Sequence, residues 1–267
     1  MSSSHSEIKR LGGSPSVALS NNFKIDTNAM LEEAWRLTKT TKAPIVTGAL
    51  IMFVIALVCS QLIAGLFPPT ELPDGSIAPT PMYLFLFMVL QIGIMPIFMA
   101  GLFMMGLKNS VALSDAFARY KPIVPANTPS MVFALFRQPW PVIATEAIRQ
   151  AILTASLAIA FAGFGLIGFA MWIFFAVTLN LAIPLVIKDN LSPFKAIKVS
   201  VQVSARKFFQ FFILYFVMLV LFFLGLLTLG IGLIWVVPMY FNLIGIVYRD
   251  VFGIETPVEN DLDTVEL

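Results

Sequence analysis

The sequence predicts an all-α, polytopic membrane protein: six transmembrane helices in three hairpins, with short amphipathic helices on the cytoplasmic side. Three observations predict it. Hydrophobic residues make up 58% of the chain, with 25 Phe and a mean hydropathy of +0.89. Only 12% of residues are charged, about half the share usual in soluble domains. Finally, four windows carry no Asp, Glu, Lys or Arg (43–70, 75–107, 150–187 and 208–248), and the basic residues between them fall on one side of the resulting scheme.

The 267 residues hold about six spans of ~20 residues plus short loops. The longest polar stretch, residues 1–42, is too short for a separate soluble catalytic domain. A net charge of +2 does not suggest a nucleic-acid partner. The single cysteine, Cys59, excludes an intrachain disulfide, and the single histidine, His5, lies in a Ser-rich stretch. Zinc and haem lose their ligands, so no metal or cofactor is expected. The run "MPIFMAGLFMM" (95–105) has no His or Cys beside it and reads as packing rather than a copper path.

Along the chain, residues 1–30 are expected to be a disordered cytoplasmic tail that is retained, because some forty residues precede an apolar run longer than a signal h-region. Charge-free windows define the helices, since each ionised side chain costs ~2.5 to 3.5 kcal/mol at a bilayer centre. The first gives a span near 44–67, ended by the Pro- and Gly-rich "PPTELPDGSIAPTP". The second gives 82–107. The window 150–187 is too long for one helix and divides at "AGFG" into spans near 144–164 and 167–187. The last divides at "LTLGIG" into 208–227 and 231–249. The six-span domain thus covers 31–253, followed by an acidic cytoplasmic tail, 254–267. Lys9 to Lys42, Lys108 to Arg137, Lys188 to Lys207 and Arg249 share one side, which the positive-inside rule makes cytoplasmic, with both termini. Only Arg149 falls outside that partition.

Three polar segments, "LEEAWRLTKTTK" (31–42), "KNSVALSDAFARY" (108–120) and "KDNLSPFKAI" (188–197), each precede a hairpin and suggest an internal repeat. Within 191–210, Ser192 is a suitable N-cap and Pro193 suits the first helical position. Lys195, Lys198, Gln202 and Arg206 then form one stripe, beside Phe194, Ile197, Val201 and Phe208. This pattern predicts an interfacial helix with its aromatic stripe in acyl chains and Lys195, Lys198 and Arg206 at lipid headgroups.

The segments "IPLVIKDNLSPFKAIKVSVQVSARKFFQFF" (183–212) and "LLTLGIGLIWVVPMYFNLIGIVYRDVFG" (226–253), with "AWRLTKTTKAPIV" near the start, resemble a group of bacterial six-helix membrane families. These are the YciC-like inner-membrane proteins, an uncharacterised family of integral membrane proteins, and the membrane region attached to some glycerophosphodiester phosphodiesterases. The resemblance covers the last third of the chain and implies a six-span bundle in the bacterial inner membrane. It does not carry hydrolase activity over, because nothing here corresponds to the soluble catalytic domain of the phosphodiesterases.

Two groups of polar residues are candidate sites. Glu146 and Arg149, at i and i+3, are the charges closest to entering a span. They read either as an intramembrane relay or, the favoured reading, as the third helix's first turns with Arg149 snorkelling to headgroups. Pro96, Pro184 and Pro238 lie in the second helix of each hairpin, with Gln91, Asn180 and Asn242 nearby. They could line a polar pathway as broken helices do in transporters, although packing is the favoured role. Asp115, Arg119, Asp189 and Arg249 are dispersed, and the common nucleotide-binding, nucleophile-elbow and zinc-protease motifs are absent. The expected function is therefore non-enzymatic, through contacts with membrane lipids or other membrane proteins; the alternative is a small transporter using the Pro- and Asn-bearing helices.

Overall fold

The computed structural model describes residues 6–20, 22–73, 75–114 and 122–259. Among them, six helices are long and apolar enough to cross a membrane, which makes the protein all-α and polytopic. Its elements differ from the expected ones mainly at their ends and at prolines.

The N-terminal tail is not a free tail. Strand β1 (Ser6–Leu11) pairs antiparallel with the C-terminal strand β4 (Ile254–Glu259), from Ser6 opposite Glu259 to Leu11 opposite Ile254. The Arg10 guanidinium donates to the Phe252 carbonyl and meets the Glu255 carboxylate at 2.6 Å. Pairing gives both terminal backbones the hydrogen bonds they would otherwise leave to water. Gly253, at φ +73°, makes the turn from helix to strand, where a side chain would be strained and would strike the Gly13 carbonyl. A one-turn helix, α1 (Pro15–Leu19), follows, its first turn capped by the Ser14 hydroxyl.

Helix α2 (Thr27–Leu66) begins at Asp26, whose carboxylate caps Asn28 and Ala29. It runs 40 residues without a break, so the polar segment 31–42 is not a separate amphipathic helix but the first part of the first span. Strands β2 (Thr70–Glu71) and β3 (Ile77–Ala78) close the turn to the second span. That span comprises α3 (Pro81–Met88), a π-helical turn at Val89–Ile94, and α4 (Met95–Ala112). The π turn lies just before Pro96, which cannot donate back to the preceding turn; the backbone accommodates the missing bond by widening there.

Residues 108–137 are not only a loop. Residues 115–121, including Asp115 and Arg119, lie outside the described residues. Pro129–Arg137 forms a 3-10 segment that folds back against α2 and α4, and Val132 sits against Gly48 and Gly101. Gly48 is five residues inside the first charge-free window, so the segment reaches ~7 Å along that span.

Helices α5 (Trp140–Phe161) and α6 (Gly165–Thr178) form the next hairpin. The fourth span is interrupted at 179–181 and resumes as α7 (Ala182–Asp189). The break lies four residues before Pro184, whose ring displaces the Asn180 carbonyl. Helix α8 (Pro193–Arg206) starts at the expected cap; of its apolar stripe Phe194 is exposed, while the rest packs on protein. Ile197 and Val201 lie against Leu179, Ala182, Ile148, Ile152 and Phe175, and the Ser200 hydroxyl donates to the Thr178 carbonyl at 2.6 Å. Phe208 stacks on Phe174. The three polar segments thus take different courses: one continuous with its span, one ending α4, one a separate helix.

Helices α9 (Phe208–Leu227) and α10 (Leu233–Phe252) complete the bundle. Helix α10 is its centre, flanked by α2 and α4. Backbones touch where α4 and α10 cross: a Cβ on Gly106 would strike the Phe241 carbonyl, and one on Gly245 the Gly106 carbonyl. Small residues permit this approach, which is how apolar helices associate without a hydrophobic drive.

Candidate functional site: an intramembrane polar pocket

Two polar clusters lie inside the bundle, and they differ in kind. The first is closely packed and paired at all but one buried side-chain atom, the Asn127 Oδ1. Arg249, 2% exposed, donates to both Glu33 carboxylate oxygens at 2.8 and 2.9 Å, to the Ser110 carbonyl and to Asp250. The Ser114 hydroxyl donates to Glu33 at 2.6 Å. Two turns along α10, the Asn242 amide donates to the Thr38 and Thr41 hydroxyls, and its carbonyl accepts from Asn109 at 2.9 Å. Asn127 bonds Asn109 in turn. These bonds tie α2, α4 and α10 together, and they place Asn242 in packing rather than on a pathway.

The second cluster surrounds space. Helix α5 presents Glu146, Arg149 and Gln150 on one face, at the i, i+3 and i+4 spacing that brings helical side chains together. Arg149 donates through Nε and a terminal nitrogen to the two Glu146 oxygens at 2.7 and 2.6 Å, and Gln150 donates to Glu146 at 2.7 Å. Across from them are Asn180, at the break in the fourth span, and Tyr240 of α10, whose hydroxyl donates to Asn180 at 3.3 Å. Gln91, in the π turn, stands at the rim. Together with Met95, Pro96, Met99, Phe103, Leu179 and Ile183 they enclose a cavity of about 230 Å³, room for roughly seven water molecules.

The depth and direction of the pair follow from the helix. Glu146 and Arg149 are six and nine residues from Trp140, ~9 and ~13 Å along α5. Glu146 is 4% exposed, and the pair faces walls from α4, the interruption at 179–181, α7 and α10. Arg149, its side chain 26% exposed, is turned back onto Glu146. Of the sequence candidates, Glu146, Arg149 and Asn180 are therefore brought together, with Gln91, while Asn242 is not. Lys195 and Lys198 are exposed on α8, and Arg206 reaches back to the Leu19 carbonyl.

Sequence reading missed Tyr240, Gln150 and the Glu33–Arg249 pair. Gln150, one turn after Glu146, was within reach of the same spacing argument. Nothing local links Glu33 to Arg249, which are 216 residues apart.

The pocket brings together an anion and a cation that neutralise each other, three side-chain amides and a phenol, in a surround of Met, Phe, Leu and Ile. No family model, curated protein or solved structure matches the chain.

Proposed function

We propose that the protein is a small, non-enzymatic membrane carrier that admits a neutral or zwitterionic solute to the pocket around Glu146, Arg149, Asn180 and Tyr240. The observation that carries this reading is the inward-facing Glu146–Arg149 pair at the junction of two proline-interrupted spans. Ionisable residues inside a bundle are costly and mark substrate or ion paths. Interrupted helices with binding groups at the break are the usual substrate sites of secondary transporters. A net-neutral, amide-lined space of this size suits a solute carrying both signs of charge, or none.

The membrane we propose is the bacterial inner membrane, with both termini cytoplasmic. Its support is the distribution of Lys and Arg and the resemblance to six-span inner-membrane families. The exposed Lys195 and Lys198, with Arg206, are proposed to lie at headgroups, where each cation is worth on the order of 1 kcal/mol.

The test is uptake into proteoliposomes of a panel of radiolabelled amino acids and small neutral polyols. At least one should accumulate, and Arg149→Gln and Asn180→Ala should each lower its initial rate at least tenfold while the variants remain monodisperse with unchanged melting. Accumulation unaffected by both substitutions, or no flux for any compound, would refute the carrier reading and leave contact with lipids or other membrane proteins as the function.

A further inference from the structure

A second cavity, separated from the polar pocket by Met99 and Tyr240, which line both, lies between α2, α9 and α10. It is a groove of about 840 Å³ with α4 as its floor, lined almost wholly by aliphatic and aromatic side chains, in the size range of sites for drug-sized ligands. Its α2 wall consists of Val46, Ala49, Leu50, Met52 and Phe53, which lie three to ten residues inside the first charge-free window, ~5 to 15 Å along the span. Its other walls are Leu219, Phe222 and Leu226 of α9 and Leu233, Ile234 and Val237 of α10.

Helical periodicity carries the stripe Phe53, Ala49 and Val46 backward to Lys42, Lys39 and Trp35, on the same face. The Lys42 ammonium lies 3.1 Å over the Trp235 ring, the Lys39 ammonium 5.6 Å over Trp35, and the two indoles are 5.5 Å apart. Among the described residues neither lysine pairs with a carboxylate, and the facing stretch 208–248 contains none. One continuous face thus offers an apolar slot for a hydrocarbon chain and, where α2 enters its charge-free window, two cations beside two indoles.

We infer that this groove holds an anionic phospholipid, one acyl chain along Ala49 and Phe53 and its phosphate at Lys39 and Lys42.

Trp35 and Trp235 supply the readout. In the full-length protein with Trp140→Phe and Trp172→Phe, only those two indoles fluoresce. Detergent-solubilised protein is titrated with phosphatidylglycerol, and separately phosphatidylcholine, carrying the same brominated chains as quenchers. Phosphatidylglycerol should half-quench at about thirtyfold lower mole fraction, the effect of two cations at an anionic group. The preference should vanish in Lys39→Gln/Lys42→Gln or in high salt, and persist in Lys195→Gln/Lys198→Gln. Ala49→Phe, which fills the slot, should weaken quenching by both lipids. Soluble glycerol 3-phosphate should not displace the lipid, which separates a lipid site from a free-phosphate site. Equal quenching by both lipids in the parent, a preference that survives the double lysine variant and high salt, quenching untouched by Ala49→Phe, or displacement by glycerol 3-phosphate would each overturn the proposal.

Discussion

Arg249 is the residue on which the bundle's basic end depends. Its side chain is 3% exposed and that of Glu33 is 16% exposed, so neither charge is left in water, and each is compensated almost entirely by the other and by Ser110, Ser114 and Asp250. Removing one member of such a pair leaves the other buried and unpaired, a loss on the order of 3 to 5 kcal/mol. Arg249→Leu is therefore expected to lower stability by about that amount, measured as the shift in denaturant midpoint of the purified protein. Glu33→Gln, which keeps an acceptor, should lose less. The double variant Glu33→Leu/Arg249→Leu should recover part of the single-variant loss, since it removes the stranded charge. If instead the double variant lost the sum of both singles, the two residues would be stabilising the fold through separate contacts. Sequence alone showed Arg249 only as a topological marker at the end of a charge-free window, because pairing across 216 residues depends on how helices cross, not on local pattern.

At the scale of elements, the prolines divide the legible from the illegible. Pro96 and Pro184 were readable as residues that free a carbonyl, and the structure has a π turn before one and a three-residue interruption before the other. Pro44 and Pro238 have the same local chemistry, yet both lie inside continuous helices. Whether a proline interrupts a span depends on what the neighbouring helices hold in place, and that lies outside the window in which a sequence is read. The same limit explains α8. Its cap, length and charged face were legible, but period alone could not tell that Ile197 and Val201 face other helices, since lipid and protein interior select the same residues. Pro184→Ala tests the causal claim about the break. Restoring an N–H should allow α6 and α7 to join, drawing Asn180 from Tyr240. Two outcomes are expected together: a small gain in thermal stability, and loss of the solute uptake assigned to the pocket. Unchanged uptake in a variant of parental stability would show that other helices hold the break open without help from the proline.

For the whole molecule, the contacts of α2 with α10 set a register that the span count does not reveal. Glu33 lies opposite Arg249, and Thr38 with Thr41 opposite Asn242, so the helices run antiparallel. Near the start of α10 the contacts do not continue that register linearly: Trp235 lies against Trp35 and under the Lys42 ammonium. Helix α2 continues past these contacts to Leu66, with Leu57, Val58, Leu62 and Leu66 exposed along it. Six windows of similar length therefore do not make six flush spans, and the tail pairing of β1 with β4 closes the basic end while the first hairpin extends the other. Orientation and depth are tested together by single cysteines in a Cys59→Ser background. Ser192→Cys should react with a membrane-impermeant maleimide only from the cytoplasmic side, and Ser76→Cys only from outside. Thr228→Cys, at the α9–α10 turn, should react far more slowly than Ser76→Cys, because that turn ends short of the first hairpin and stays within the lipid. Labelling of Ser192→Cys from outside would reverse the proposed topology. Equal rates at Thr228→Cys and Ser76→Cys would mean that the two turns reach the same water, and that α2 bends away from the register its polar contacts impose.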